Sequence, residues 1–82
     1  MSKKKAKEVI EVPFRKKATR DFTGENLKGS DMRDTDYIEC NFTKADLQGC
    51  MFDGATFKNC IFNETDVRWA SGFPKDIEGV IR

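Results

Sequence analysis

The 82 residues contain no histidine, no apolar run approaching a membrane span and almost no net charge, +1. Without histidine, the three cysteines Cys40, Cys50 and Cys60 make a poor zinc site. Without about 18 consecutive apolar residues, no transmembrane helix is expected. The Lys3-Lys4-Lys5 start is not followed by the apolar stretch of a signal peptide, so the expected location is cytoplasmic. Nucleophile–base pairs, phosphate-binding loops and dinucleotide fingerprints are also missing. The chain is therefore expected to be no enzyme and to need no cofactor or metal. Its length fits one domain, whose core is marginal unless its ends are covered.

What is present is a period. Phe22, Leu27, Met32, Tyr37, Phe42, Leu47, Phe52, Phe57, Phe62 and Val67 are spaced five apart, and no position in that register is polar. With 38% of residues apolar, chance gives such a run in one fixed phase roughly once in ten thousand. A helix would spread these positions around every face, because five residues advance about 500°. A continuous strand would throw alternate ones onto opposite faces. The chain must turn within each unit, which predicts a solenoid with sides one unit long. From Ser30 onward the residue two before each centre is small: Thr35, Cys40, Ala45, Cys50, Ala55, Cys60 and Thr65. The residue one before is often acidic or an amide, as in Asp21, Asn26, Asp31, Asp36, Asn41, Asp46 and Asp66.

In this order, small then Asp or Asn then large apolar, the sequence resembles the pentapeptide-repeat family, whose consensus is A(D/N)Lxx. Ala45-Asp46-Leu47 matches it literally, and Cys40-Asn41-Phe42 and Thr65-Asp66-Val67 match in kind. The resemblance implies an all-β fold, a right-handed quadrilateral β-helix with four units per coil, here about two and a half coils. In that arrangement Phe22, Phe42 and Phe62 share one column. Leu27, Leu47 and Val67 share the next, Met32 lies under Phe52, and Tyr37 under Phe57. Small residues beside each centre suit a narrow, close-packed interior.

Three segments follow. Residues 1–19 form a basic leader and N-terminal cap with a charge of +5, residues 20–71 the solenoid, and residues 72–82 a C-terminal cap or dimer segment. The solenoid residues 20–70 carry −4. Arg20 and Glu25 fall in inward slots, where a buried charge is costly, so the first coil is expected to be half open with both side chains at its rim. The β-rich residues 9–14 are expected to lie over that end as a strand. At the other end Gly72 breaks the pattern. The tail after it reads as an extension or as a short helix capped by Ser71 with Pro74 in its first turn. It serves as an apolar cap or as a homodimer contact, the latter by the resemblance.

The candidate site residues lie on the outer surface. The cysteines occupy the small inward slot and read as buried packing. The Asp series follows the repeat and reads first as turn chemistry. Met51, Ile61, Ile38 and Trp69 break the outward polar pattern and make two apolar patches at the corners. Either the tails cover them, Phe73 and Pro74 on Trp69 and Val12 or Phe14 near Ile38, or they contact a partner. Three functions follow from these surfaces. The first is a non-enzymatic protein-binding module, with inhibition of a host enzyme, including by a phage-borne protein, within its scope. The second, implied by the resemblance, is a DNA mimic acting on gyrase or another DNA-handling enzyme through Asp31, Asp34, Asp36, Glu39, Asp46, Asp53, Glu64 and Asp66. The third is direct nucleic-acid contact through Lys3, Lys4, Lys5 and Lys7.

Overall fold

The protein is described by a computed structural model over residues 16–82. The strand expected over residues 9–14 and the leader lysines Lys3, Lys4, Lys5 and Lys7 lie outside these residues. Among the described residues there is no helix. The elements are β1 (Lys16–Ala18), β2 (Thr35–Ile38), β3 (Thr56–Lys58), β4 (Thr65–Asp66) and β5 (Val80–Ile81). All pairings are parallel, in a β1-β2-β3 sheet and a β4-β5 pair.

The register returns the chain to the same place every twenty residues. Asp21 bridges Asn41 and Asn41 bridges Ile61, Asn26 bridges Asp46 and Asp46 bridges Asp66, and Asp31 bridges Met51 and Met51 bridges Ser71. Tyr37 pairs with Phe57 in the same way. Four five-residue units thus make one turn of the chain, with parallel ladders between successive turns.

The backbone explains why the period is five. The residue two after every apolar centre has a left-handed φ: Gly24, Gly29, Asp34, Glu39, Lys44, Gly49, Gly54, Asn59, Glu64 and Trp69, between 55° and 79°. One left-handed residue per unit bends the chain before a strand can lengthen. At six of these corners the carbonyl of the centre accepts the N–H three residues on, as from Glu25 to Phe22 and from Ala45 to Phe42. A left-handed φ costs an L-residue about 1–2 kcal/mol that glycine avoids. Lys44→Gly is therefore expected to raise stability by about 0.5–1 kcal/mol, since glycine also loses more freedom on folding. Thermal denaturation reads this, and an unchanged or lower midpoint would refute it.

The columns assembled by this register are aromatic. Phe42 lies between Phe22 and Phe62, with ring centroids at 4.8 and 5.1 Å and planes within 6° of parallel. Tyr37 stacks on Phe57 at 5.3 Å. These separations follow the strand spacing of the ladder. Phe42, Leu47, Phe52 and Cys50 are fully excluded from solvent, and Phe22, Met32, Tyr37, Ala45 and Val67 are buried with them.

Both ends depart from the twenty-residue register. At the start, Lys16 pairs with Thr35, Lys17 with Asp36 and Ala18 with Tyr37, a step of nineteen. The strict repeat would place Lys17 beneath Tyr37. Shortening the corner by one residue puts Ala18 there instead and leaves the charge outside. Arg20 and Glu25 pair with each other at 2.6 Å, and the Arg20 guanidinium lies 4.4 Å from the centroid of Phe22. At the finish, Thr65 pairs with Val80 and Asp66 with Ile81, a step of fifteen. One whole side is omitted, and the chain uses the saved length to turn Phe73 inward. Its ring lies 5.3–5.5 Å from those of Phe52, Phe57 and Phe62, closing the C-terminal end.

This corrects two expectations for the tail. No helix forms there, because Ser71 continues the ladder over Met51 and gives its hydroxyl to Asp53 Oδ2 at 3.1 Å. Phe73 does not cover Trp69, because the open end of the column offers it more apolar contact. The turn that follows is held by Arg82, whose Nη2 donates to the carbonyls of Pro74, Lys75 and Ile77 at 3.2, 3.2 and 2.7 Å.

Candidate functional site

The Asp and Asn residues before the centres serve the corners. Asp21, Asn26, Asp31, Asn41, Asp46 and Asp66 each accept the backbone N–H two residues on, at 2.9–3.2 Å. Short side chains that reach their own backbone stabilise a turn in this way. The same geometry pairs several of the carboxylates proposed for an acidic face. Asp31 takes Nε and Nη2 of Arg33 at 2.9 Å each, and Asp66 takes Nη2 of Arg68 at 2.7 Å. Asp46 accepts from Gln48 Nε2 at 3.0 Å and lies 3.9 Å from Lys28. Asp36 accepts the Thr56 hydroxyl, and Asp53 that of Ser71. Asp34, Glu39 and Glu64 stand exposed at left-handed corner positions.

Hydrogen bonds from the Arg33 side chain and backbone hold the Asp31 carboxyl down at about 2. Its ordinary value is about 3.9, so the folded state binds this proton less readily than the unfolded chain. The resulting stabilisation is present above about pH 4 and is lost as pH falls through about 2. In Arg33→Gln the carboxyl midpoint of Asp31, followed by NMR, is expected to rise toward the ordinary range. An unchanged midpoint would place the cause elsewhere.

Each thiol donates to a carbonyl one turn of the solenoid earlier: Cys40 to Ala18 at 3.2 Å, Cys50 to Leu27 at 2.9 Å and Cys60 to Tyr37 at 3.2 Å. Thr65 gives its hydroxyl to Phe42 in the same pattern at 2.6 Å. The inward slot thus holds a small residue that can also donate, which the alternation of Cys and Thr with Ala hinted at. Burial pushes the thiols of Cys50 and Cys60 up, away from the reactive thiolate. All three cysteines are free. Among the described residues no cluster of His, Cys, Asp or Glu has the arrangement of a metal site, and no helix is long and apolar enough to cross a membrane.

The outward apolar residues separate into two places. Ile61 is 53% exposed and lines a groove of about 490 Å³ with Phe57, Cys60, Phe62 and Ile77. This groove borders β3, the edge strand over which the shortened exit places no strand. Ile38 is half-buried in β2, and Met51 is half-buried between the bridges to Asp31 and Ser71. Trp69 is 76% exposed, more than any other large apolar side chain described. Its ring is stacked by the Arg68 guanidinium at 5.2 Å and borders a second groove, of about 300 Å³. The sequence pointed to Trp69 correctly as an outward residue, but it gave no sign of the basic residues the tail brings beside it.

The family model for pentapeptide repeats (8 copies) matches residues 40–71. No curated protein and no solved structure gives a significant match to the chain. The matched stretch begins at Cys40 and ends at Ser71, where the twenty-residue register also ends. By that match, and by the five-residue backbone period that underlies it, residues 40–71 are a run of pentapeptide repeats.

Proposed function

We propose that the chain is a non-enzymatic protein-binding module, built as a right-handed quadrilateral β-helix of about two and a half coils. Proteins with these repeats are often protein-interaction modules. The observation that carries the reading is Trp69. Its side chain is 76% exposed, although the tail has an aromatic residue close by that turns to the column end instead. Trp and Arg are the residues most enriched at the energetic centres of interfaces, and here they are stacked.

The DNA-mimic alternative has less support. A mimic needs continuous unpaired negative charge, whereas Asp31, Asp46 and Asp66 are each paired with a cation. The lysine-rich leader lies outside the described residues and carries no geometric argument.

The test is capture from nuclease-treated lysate with tagged wild-type protein and with Trp69→Ala. The wild type is expected to retain a partner that the variant loses, with both proteins melting at the same temperature within about 2 °C, as for surface substitutions. Equal capture by both proteins would remove Trp69 from the interface. Loss of folding in Trp69→Ala would make the ring structural.

A further inference from the structure

We propose that the Trp69 groove receives an acidic segment of the protein partner, an inference that rests on the protein-binding reading. The backbone supplies the first argument. One turn of the solenoid earlier, the equivalent corner is Gly49, with φ 69° against 63° at Trp69. Glycine meets the needs of this corner without strain, while a bulky residue there is unfavourable. The Trp69 ring is largely in solvent, so folding gains little from it in return. Asp34, Glu39, Lys44, Asn59 and Glu64 share this φ with polar side chains, and Trp69 alone sets a large apolar ring in solvent at such a corner, a surface suited to contact.

Charge supplies the second argument and selects the partner. Arg68, Lys75 and Arg82 line the groove with Trp69, Val67 and Phe73, and no Asp or Glu side chain lines it. Asp66 neutralises Arg68. The Arg82 guanidinium donates to neutral carbonyls and is not paired with an acidic side chain of the described residues. No carboxylate of the described residues forms an ion pair with Lys75. Asp76 lies off the groove, and Glu78 lines the groove beside Ile61. The solenoid residues 20–70 carry −4, so an acidic segment is repelled over most of the surface and attracted at this corner. Opposed charges of this kind fix orientation and on-rate. The Trp69 face not stacked by Arg68 supplies apolar contact, and Lys75 and Arg82 receive the carboxylates.

Trp69 is the chain's single tryptophan, so its fluorescence reports on the groove without a label. The probe is a blocked hexaglutamate peptide, titrated at low salt into the full-length protein. The expected result is a saturable change in emission that weakens as salt is raised. Lys75→Gln keeps the reporter and is expected to weaken binding about two- to fivefold, the scale of one exposed ion pair. No change with hexaglutamate, or an equal change with hexaglutamine, overturns the proposal. A response to single-stranded oligothymidylate but not to hexaglutamate also overturns it and assigns the cluster to phosphates and bases. A captured partner that depends on Trp69 but is indifferent to competing hexaglutamate overturns this inference and leaves the protein-binding reading intact. Capture that does not depend on Trp69 removes that reading from this corner whatever the peptide does.

Discussion

Phe42→Ala is expected to bring the protein close to the midpoint of unfolding at room temperature. Phe42 is fully buried, lies face to face with Phe22 and Phe62, and meets Tyr37 and Phe57 edge-on. Removing a buried phenylalanine costs about 3–5 kcal/mol from lost transfer energy and the cavity left behind. The upper part of that range applies, because the cavity has rigid walls. The ladders fix the separation between successive turns, so the rings above and below cannot close the gap. A domain of this size has about 5–15 kcal/mol in total, with small domains at the lower end. Circular dichroism during thermal and urea unfolding measures the loss. A midpoint within a few degrees of wild type would show that the column collapses around the missing ring. Leu47→Ala, also fully buried but without stacking partners, separates ring stacking from simple burial.

Gly79→Ala is expected to release the C-terminal tail while leaving the middle of the solenoid folded. Gly79 has φ 85°, and a Cβ there would fall on the carbonyl oxygen of Phe62. The φ alone costs about 1–3 kcal/mol. The contact is with backbone, which cannot rotate away as a side-chain end could, so β5 must move. Thr65 N–H donates to the Gly79 carbonyl at 3.3 Å and Val67 N–H to that of Ile81 at 2.9 Å. Hydrogen exchange at these two amides is expected to accelerate at least tenfold, the factor that about 1.4 kcal/mol gives. The amide of Phe42, bonded to Ile61, is expected to change much less. Unchanged protection at Thr65 and Val67 would show that β5 tolerates the shift. Uniform loss at all three would show that the tail and the column unfold as one unit.

The contrast between the two substitutions follows what was legible in the chain. Phe42 is one of ten apolar residues at a strict spacing, and its column partners Phe22 and Phe62 could be named once the family resemblance implied four units per coil. Gly79 carried no such signal. Its constraint is a close approach to a carbonyl seventeen positions away. Phe73 was misplaced for a related reason. A single aromatic after the repeats has no register, and the sequence offered no way to weigh the exposed Trp69 ring against the open end of the column. The aromatic rings of Phe52, Phe57 and Phe62 decided it.

The candidate site divides in the same way. Trp69, Ile61, Met51 and Ile38 were legible as interruptions of an outward polar pattern. Their unequal exposure was not, because it depends on what the end segments cover. The acidic residues were legible as a row, but their pairing with Arg33, Arg68 and Lys28 is a matter of side-chain reach around each corner and across turns.

The sequence by itself determined the repeating part of this protein. A five-residue period of large apolar, small and Asp or Asn residues fixes which side chains face in and where each corner falls. Each of those choices is local, made by one unit and repeated. Only the tertiary structure decided the two ends, the one-residue shortening that sets Ala18 beneath Tyr37 and the omitted side that frees Phe73 and brings Lys75 and Arg82 beside Trp69. The physical reason is that an end has a neighbour on one face only. What covers its other face is settled by competition among non-repeating residues for the exposed column, and periodicity says nothing about that.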